Sequence, residues 1–150
     1  MSRPVDKVVV HSSATPPSMD VGVREIGLWH RYRGFNEVGY NFVIRRNGVI
    51  ELGRDLEKTP AHVRGYNRTS VGICLIGGID EEGQAENNFT DEQFKSLRSF
   101  LNGIFFFHPE LELFGHRDLS PDKNGDGVIS EDEYMKECPS FDVNQWYERK

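Results

Sequence analysis

The stretch that most constrains the fold is residues 71–78, whose sequence is VGICLIGG. It contains no charged residue, which is the pattern of a strand covered on both faces. Other β-rich runs at 7–11, 40–51 and 111–114 predict the remaining strands, and helical spacing predicts helices at about 20–32 and 90–107. We therefore predict an α/β fold, a single domain in which a central mixed β-sheet is flanked by helices.

Three capping residues predict where helices begin. Asp20 is suited to cap the first helix, from which Trp29 is expected to face the core. Thr90 and Gln93 form a capping box at the start of the second helix, which carries an apolar stripe of Phe, Leu and Ile. Asp142 is predicted to cap a short last helix.

Residues 39–52 contain two β-rich runs joined by Asn47 and Gly48. An Asn-Gly dipeptide accepts the positive φ angles of a tight hairpin turn, so we predict a β-hairpin here. Alternation along the first strand places Tyr40 on the same face as Phe42. On spacing alone, Tyr40 is an ordinary core residue.

The charge balance excludes two classes of partner. The chain has 150 residues and a formal net charge of −6, of which residues 122–137 contribute −4. No basic stripe remains that would suit nucleic acid or an anionic membrane. No apolar stretch approaches the roughly 18 residues of a spanning helix, and the N-terminus lacks the apolar run of a secretory signal. We therefore expect synthesis in the cytoplasm and no membrane insertion.

A calcium-type loop spans residues 122–133. Gly127 permits the sharp turn at position 6 of such a loop, and Pro121 disfavours the entering helix of a paired calcium-binding motif. The predicted oxygen ligands are Asp122, Asn124, Asp126, the backbone carbonyl of Val128, Ser130 and Glu133. A single inserted calcium site is the prediction, and a solvated acidic turn is the alternative.

A second set of metal ligands brackets this loop. His116 precedes it and Cys138 follows it, and both side-chain types bind zinc. His11 and His116 each lie at the end of a predicted strand, so one sheet edge can bring them together. Two histidines and one cysteine suffice for a catalytic zinc with an open fourth position. As alternatives, a lone histidine is more often only hydrogen-bonded, and Cys138 can form a disulfide with Cys74.

Several segments carry a resemblance to a known family. They are VVVHSSAT, VGVREIGLWH, VGYNFVI, HVRGYNRTSVGICLIGGID, FTDEQFKSL, GHRD and KECPSFDV, which together cover nearly the whole chain in order. They resemble the zinc-dependent N-acetylmuramoyl-L-alanine amidases of the phage endolysin type, and peptidoglycan recognition proteins are more distantly similar. The resemblance implies hydrolysis of the amide between the lactyl group of N-acetylmuramic acid and L-alanine.

The resemblance also implies roles for five residues. His11, His116 and Cys138 match the family's zinc ligands. Tyr40 in VGYNF and Lys136 in KEC match its two residues essential for amidase activity. Their implied roles are to orient the attacking water and to stabilise the developing oxyanion.

Two further residues are expected to contact substrate. His62 matches the family's His-x-x-Gly-Tyr-Asn region and would line the cleft. Asn41 stands where a relative has a histidine, so it is expected to alter substrate contacts without removing a zinc ligand. Deleting residues 122–133 shortens the connector between His116 and Cys138 from 21 residues to nine, so the calcium loop looks like an insertion.

The sequence thus predicts one amidase domain over residues 1–150, a monomer that uses Zn²⁺ for chemistry. Ca²⁺ would order the segment that presents Lys136 and Cys138. The expected partner is bacterial peptidoglycan, reached in the periplasm or cell wall after release from the host cytoplasm through a phage-made pore. The alternatives are a noncatalytic peptidoglycan-recognition protein of the same fold and a calcium-controlled switch.

Overall fold

The computed structural model describes residues 3–120 and 137–148. The predicted calcium loop and Lys136 lie outside these residues. The strands in these described residues are β1 (Lys7–Ser12), β2 (Phe42–Ile44), β3 (Ile50–Leu52), β4 (Ser70–Leu75) and β5 (Glu112–Gly115). The helices are α1 (Val23–Tyr32), α2 (Asp91–Phe107) and α3 (Val143–Tyr147), with 3₁₀ turns at Asn67–Thr69 and His116–Leu119.

The strands form one mixed sheet in the order β3-β2-β4-β1-β5. β4 pairs in parallel with β1 and β2, and β1 pairs in parallel with β5, whereas β2 and β3 are antiparallel. Every residue of β4 is buried, as expected for a strand covered on both faces. The prediction of a central mixed sheet flanked by helices is confirmed. None of the helices in residues 3–120 and 137–148 has the length and apolar character needed to span a bilayer.

The sheet face that packs against α2, here called the α2 face, holds the main hydrophobic core. Val8, Val10, Ile73 and Leu75 of the sheet belong to one cluster with Leu97 and other buried side chains of α2. The predicted capping box is present, because the Gln93 amide N–H donates to Thr90 Oγ1 at 3.1 Å and the Thr90 N–H donates to Gln93 Oε1 at 2.9 Å.

The opposite face, here called the α1 face, packs against α1 with a smaller cluster that includes Ile26, Val43 and Cys74. Two predictions for α1 were wrong. Its N-cap is Gly22, not Asp20, because Glu51 of β3 accepts the Val23 amide hydrogen at 3.0 Å. Trp29 is 38% exposed, because the helix instead buries Ile26 and, one turn later, His30.

The predicted hairpin joins β2 to β3, with a three-residue loop over residues 46–48. Arg45 N–H donates to the Val49 carbonyl at 2.9 Å, and of the two turn residues only Gly48 has a positive φ, at +89°. The predicted alternation fails before Phe42, where regular pairing begins. Tyr40 therefore packs with Val43 on the α1 face, and not with Phe42 on the α2 face as predicted.

Candidate active site

The two histidines predicted as ligands meet at one edge of the sheet. Because β1 and β5 are parallel, their carboxyl ends lie side by side. His11 is near the end of β1, and His116 begins the 3₁₀ turn that follows β5 directly. Their ring centroids are 4.6 Å apart, so the structure brings the pair together as predicted.

Cys138 reaches the same edge from the C-terminal segment. The Arg117 amide donates to the Cys138 carbonyl at 2.9 Å, which ties the cysteine to the residue after His116. Cys138 Sγ accepts the Ser12 amide hydrogen at 3.1 Å and lies 3.7 Å from His11 Nδ1. Neither Cys74 nor Cys138 is in a disulfide, which excludes the alternative pairing of the two.

His11, His116 and Cys138 have the donor atoms and spacing of a metal site. One ligand atom from each residue lies within 4.8 Å of the other two. Ligands about 2.0–2.3 Å from a tetrahedral zinc ion are separated by roughly 3.5 Å, close to the observed sulfur-to-Nδ1 distance of His11. Two imidazoles and a sulfur that accepts a backbone hydrogen bond fit Zn²⁺ and leave room for a fourth ligand.

Tyr40 lies beside these ligands on the α1 face. Its ring centroid is 5.0 Å from that of His11. Burial, with the nearby Cys74 second, raises the pKa of the Tyr40 phenol well above its ordinary value. At neutral pH Tyr40 is therefore a neutral hydrogen-bond donor, and not an anion.

His30 lies next to Tyr40, and the sequence did not identify it as part of the site. The His30 ring is buried and lies 5.5 Å from the Tyr40 ring, and its Nδ1 accepts the Gly39 amide hydrogen at 2.8 Å. Burial lowers the pKa of His30, so it acts as a neutral acceptor. The position of His30, four residues after Ile26 and therefore on the same buried side of α1, was the sequence feature that could have identified it.

His62 lies within the site and hydrogen-bonds at both ring nitrogens. Its Nδ1 is 2.7 Å from His11 Nε2, and its Nε2 is 2.7 Å from Ser70 Oγ. Burial, reinforced by the neighbouring His116, lowers the pKa of His62 to about 3. The ring is therefore neutral over the physiological range.

Asn41 lies beneath the site and is not among the residues lining the cleft. It is fully buried, its Nδ2 donates to the Arg54 carbonyl at 3.1 Å, and its Oδ1 accepts the Gly72 amide hydrogen at 3.0 Å. This placement favours a structural role over the predicted substrate contact, because both ends of the amide are bound to backbone.

An open cleft of about 510 Å³ surrounds these residues. Its lining includes His11, Tyr40, His62, His116 and Cys138, together with two exposed arginines that the sequence did not single out, Arg33 and Arg64. The cleft thus combines a cluster of donor atoms that could hold a metal ion, a neutral phenol and positive charge at its rim.

The chain matches the profile of the N-acetylmuramoyl-L-alanine amidase family over residues 1–140. It is 46% identical over 143 residues to an endolysin of Klebsiella phage KP32, an alignment that covers 95% of this chain and 85% of the phage protein. The residues predicted to bind metal lie within the matched region.

Solved structures agree on the fold. The N-acetylmuramoyl-L-alanine amidase LysC from Clostridium intestinale URNW superposes with a TM-score of 0.74 at 22% identity, covering 99% of this chain and 88% of LysC. Wild-type PGRP-LB from Drosophila superposes with a TM-score of 0.68 at 26% identity, covering 93% of this chain and 76% of PGRP-LB. From its profile match and its endolysin relative, the chain belongs to the N-acetylmuramoyl-L-alanine amidase family.

Proposed function

We propose that this protein is a zinc-dependent phage endolysin that hydrolyses the amide between N-acetylmuramic acid and L-alanine in bacterial peptidoglycan. The observation that carries the proposal is the convergence of His11, His116 and Cys138, with donor atoms within 4.8 Å of one another in an open cleft. The family and the endolysin relative support the amidase activity. Zinc bound by these residues would supply Lewis acidity, which polarises a carbonyl and activates water.

Tyr40 would bind and orient the attacking water at the reacting amide. Its phenol is neutral and lies beside His11, so it can donate a hydrogen bond without carrying charge. The His30 ring beneath it limits the positions that the phenol can adopt. A donor held in place before reaction stabilises developing charge at little reorganisation cost.

Lys136 would stabilise the oxyanion. It lies outside the described residues, two positions before Cys138, so chain connectivity supports its proximity to the site. A lysine ammonium placed there would offset the negative charge that develops on the amide oxygen during attack by water.

Calcium bound at 122–133 would order the segment that presents Lys136 and Cys138. The described flanks on either side of residues 122–133 bond directly to each other, which fits a loop inserted between them. Arg117 N–H donates to the Cys138 carbonyl at 2.9 Å, and Arg117 Nη1 lies 3.7 Å from Glu137 Oε2. The whole chain, residues 1–150, would then act as one amidase domain with an inserted calcium loop.

The remaining parts of the proposal concern substrate and place of action. The cleft would bind the muramyl-peptide junction of peptidoglycan, with His62 in its lining as the resemblance implies; Asn41 lies buried beneath the cleft, so its effect on substrate contacts would be indirect. The enzyme would act as a monomer in the periplasm or cell wall after synthesis in the host cytoplasm. Release through a pore made by another phage protein would give it access to the wall.

The test is mass spectrometry of the soluble products formed from purified peptidoglycan. The metal-free protein, the zinc-loaded protein and a chelated sample are compared under the same conditions. Stem peptides with a free L-alanine amine are expected only with zinc. His108→Ala is a matched control for His116→Ala, because His108 is half-buried at the end of α2 and does not line the cleft.

Two outcomes would contradict the proposal. Cleavage that persists after complete zinc removal would exclude the metal from the reaction. Intact glycan and peptide, with the protein bound to the wall, would instead favour the noncatalytic recognition protein of the same fold.

Calcium is tested by thermal unfolding with and without the ion. Binding to the native state alone raises the melting temperature. The double variant Asp122→Ala with Asp126→Ala is therefore expected to melt at one temperature in both conditions, below that of the wild type in calcium. A wild type whose melting is also unaffected by calcium would identify residues 122–133 as a solvated turn.

A further inference from the structure

The two nitrogens of His11 face different partners. Nδ1 lies 3.7 Å from Cys138 Sγ, on the side of the proposed metal, while Nε2 lies 2.7 Å from His62 Nδ1. A neutral imidazole carries a proton on only one nitrogen. The ability of His11 to bind metal through Nδ1 therefore depends on which nitrogen carries that proton.

The hydrogen bonds behind His11 assign the proton. The Ser70 hydroxyl donates its single hydrogen to the Tyr66 carbonyl at 2.8 Å, so Ser70 Oγ must accept from His62 Nε2 at 2.7 Å. His62 is then protonated on Nε2, and its Nδ1 is an acceptor. His11 Nε2 must donate to that acceptor, which leaves the Nδ1 of His11 deprotonated on the side of Cys138.

The backbone holds His62 at this position. The amides of His62 and Val63 both donate to Asn67 Oδ1 at 2.9 Å, which fixes the loop that carries the ring. The ring itself lies over Gly72 of β4, where an added Cβ would be only 2.7 Å from His62 Nδ1. The sheet therefore needs glycine at 72 for His62 to reach His11.

We propose that His62 and Ser70 are positioning residues of the zinc site, which hold His11 in the tautomer that presents a deprotonated Nδ1 to the metal. This inference rests on the proposed function, because it concerns the same three-ligand site. It gives His62 a role that acts through His11, in contrast to the substrate contact implied by the family resemblance. Partners of this kind typically contribute about 10- to 100-fold to metal affinity.

The test measures zinc affinity by competition with a chromophoric chelator. His62→Ala is expected to weaken zinc binding by about 10- to 100-fold. His62→Asn is expected to recover most of the affinity, because the Asn side-chain oxygen can occupy the place of Nδ1 and accept from His11. Ser70→Ala is expected to fall between the wild type and His62→Ala.

Gly72→Ala tests the same chain of hydrogen bonds, from Ser70 through His62 to His11, without changing any polar group. The added methyl group would displace the His62 ring, so zinc affinity is expected to fall as in His62→Ala. His108→Ala serves as the matched histidine control and is expected to bind zinc like the wild type. Thermal unfolding of each metal-free variant separates a local loss of affinity from a loss of fold.

A spectroscopic readout reports the tautomer directly. Long-range ¹H–¹⁵N correlation spectra of the zinc-loaded wild type are expected to show His11 protonated at Nε2 and bound through Nδ1. A substrate-contact role for His62 predicts instead that His62→Ala raises KM with unchanged zinc affinity.

The outcomes separate this inference from the proposed function. Wild-type zinc affinity in His62→Ala, or a His11 ring protonated at Nδ1, would overturn the inference while leaving zinc-dependent cleavage intact. A wild-type protein that binds no zinc would overturn both.

Discussion

The two faces of the sheet differ in what they bury. Among residues 3–120 and 137–148, the α2 face is covered by a cluster of 14 buried apolar residues that spans the sheet, α2 and α3, whereas the cluster on the α1 face has five. On the α1 face the remaining space is taken by His11, His62, Tyr40 and Cys138 around an open cleft. One layer of strands thus takes its stability mainly from one face and carries its chemistry on the other.

The hydrogen bonding of the α1 face follows from this difference. Polar groups that lose contact with water must find other partners, so His11, His30 and Asn41 are each bonded within the protein. These bonds also orient the side chains for chemistry. The α2 face also holds a buried polar side chain, Gln93, whose Nε2 donates to the Ile44 and Ile76 carbonyls at 3.1 and 2.9 Å, but its cluster is apolar and contributes through burial.

The largest expected effect is the loss of a ligand from the α1 face. Cys138→Ser and His116→Ala are each expected to reduce turnover by at least about 10³-fold, because the Lewis acid contributes several kcal/mol. Without metal, each variant should unfold close to the temperature of the metal-free wild type, because the core on the α2 face is unchanged. Product analysis and thermal unfolding check the two parts. Wild-type turnover in either variant would remove that residue from the site.

The matching change on the α2 face is Leu101→Ala. Leu101 is fully buried, so truncation leaves a cavity and is expected to lower the free energy of unfolding by about 2–5 kcal/mol. Zinc affinity and turnover per folded molecule should stay at wild-type values. Urea unfolding measures the first quantity, and chelator competition the second. A large loss of zinc affinity in the folded variant would show that the two faces are coupled.

A smaller effect is expected from Tyr40→Phe, which removes only the hydroxyl group. Turnover should fall by about 10²-fold, the loss typical of one preorganised donor, while zinc affinity stays within about twofold. Steady-state kinetics and chelator competition test the split. Equal losses in zinc affinity and turnover would reassign Tyr40 from catalysis to support of the metal site.

The smallest expected effect comes from a change at the N-cap of α2, and it tests whether α2 contributes to stability and not to turnover. Thr90→Ala removes the N-cap bond to the Gln93 amide and the 2.6 Å bond that Thr90 Oγ1 donates to the Arg46 carbonyl. A loss of about 1 kcal/mol in the free energy of unfolding is expected, with no change in turnover. The urea midpoint reports it, and Thr90→Ser should recover most of the loss. A Thr90→Ser variant as unstable as Thr90→Ala would mean that the cap contributes nothing.

The α2 face was the more predictable of the two. The capping box and the apolar stripe of α2 are local patterns, and every side chain they involve lies in α2 or at its N-cap, Thr90. The buried strand β4 was predicted for the same reason, from a run of residues without charge. Such elements depend on residues close together in sequence, so they can be predicted without knowledge of the fold.

On the α1 face, the sequence predicted that the candidate ligands would lie close together but not the hydrogen bonds that hold them. The predicted strand ends placed His11 and His116 at one edge of the sheet. The His11–His62 hydrogen bond, however, joins residues 51 positions apart, and no local sequence pattern predicts it. Asp20 is not the N-cap because Glu51 of β3 accepts the hydrogen bond from the first amide of α1. Tyr40 changed faces because regular strand pairing begins only at Phe42. Each failure came from a tertiary contact that overrode a local preference.

The most direct test of the central claim is zinc-edge X-ray absorption on the zinc-loaded wild type and on Cys138→Ser. The wild type is expected to show one sulfur at about 2.3 Å and two histidine nitrogens at about 2.0–2.1 Å. The sulfur contribution should vanish in Cys138→Ser. A wild-type spectrum without sulfur, or one that is unchanged in Cys138→Ser, would contradict the assignment of His11, His116 and Cys138 as the metal site.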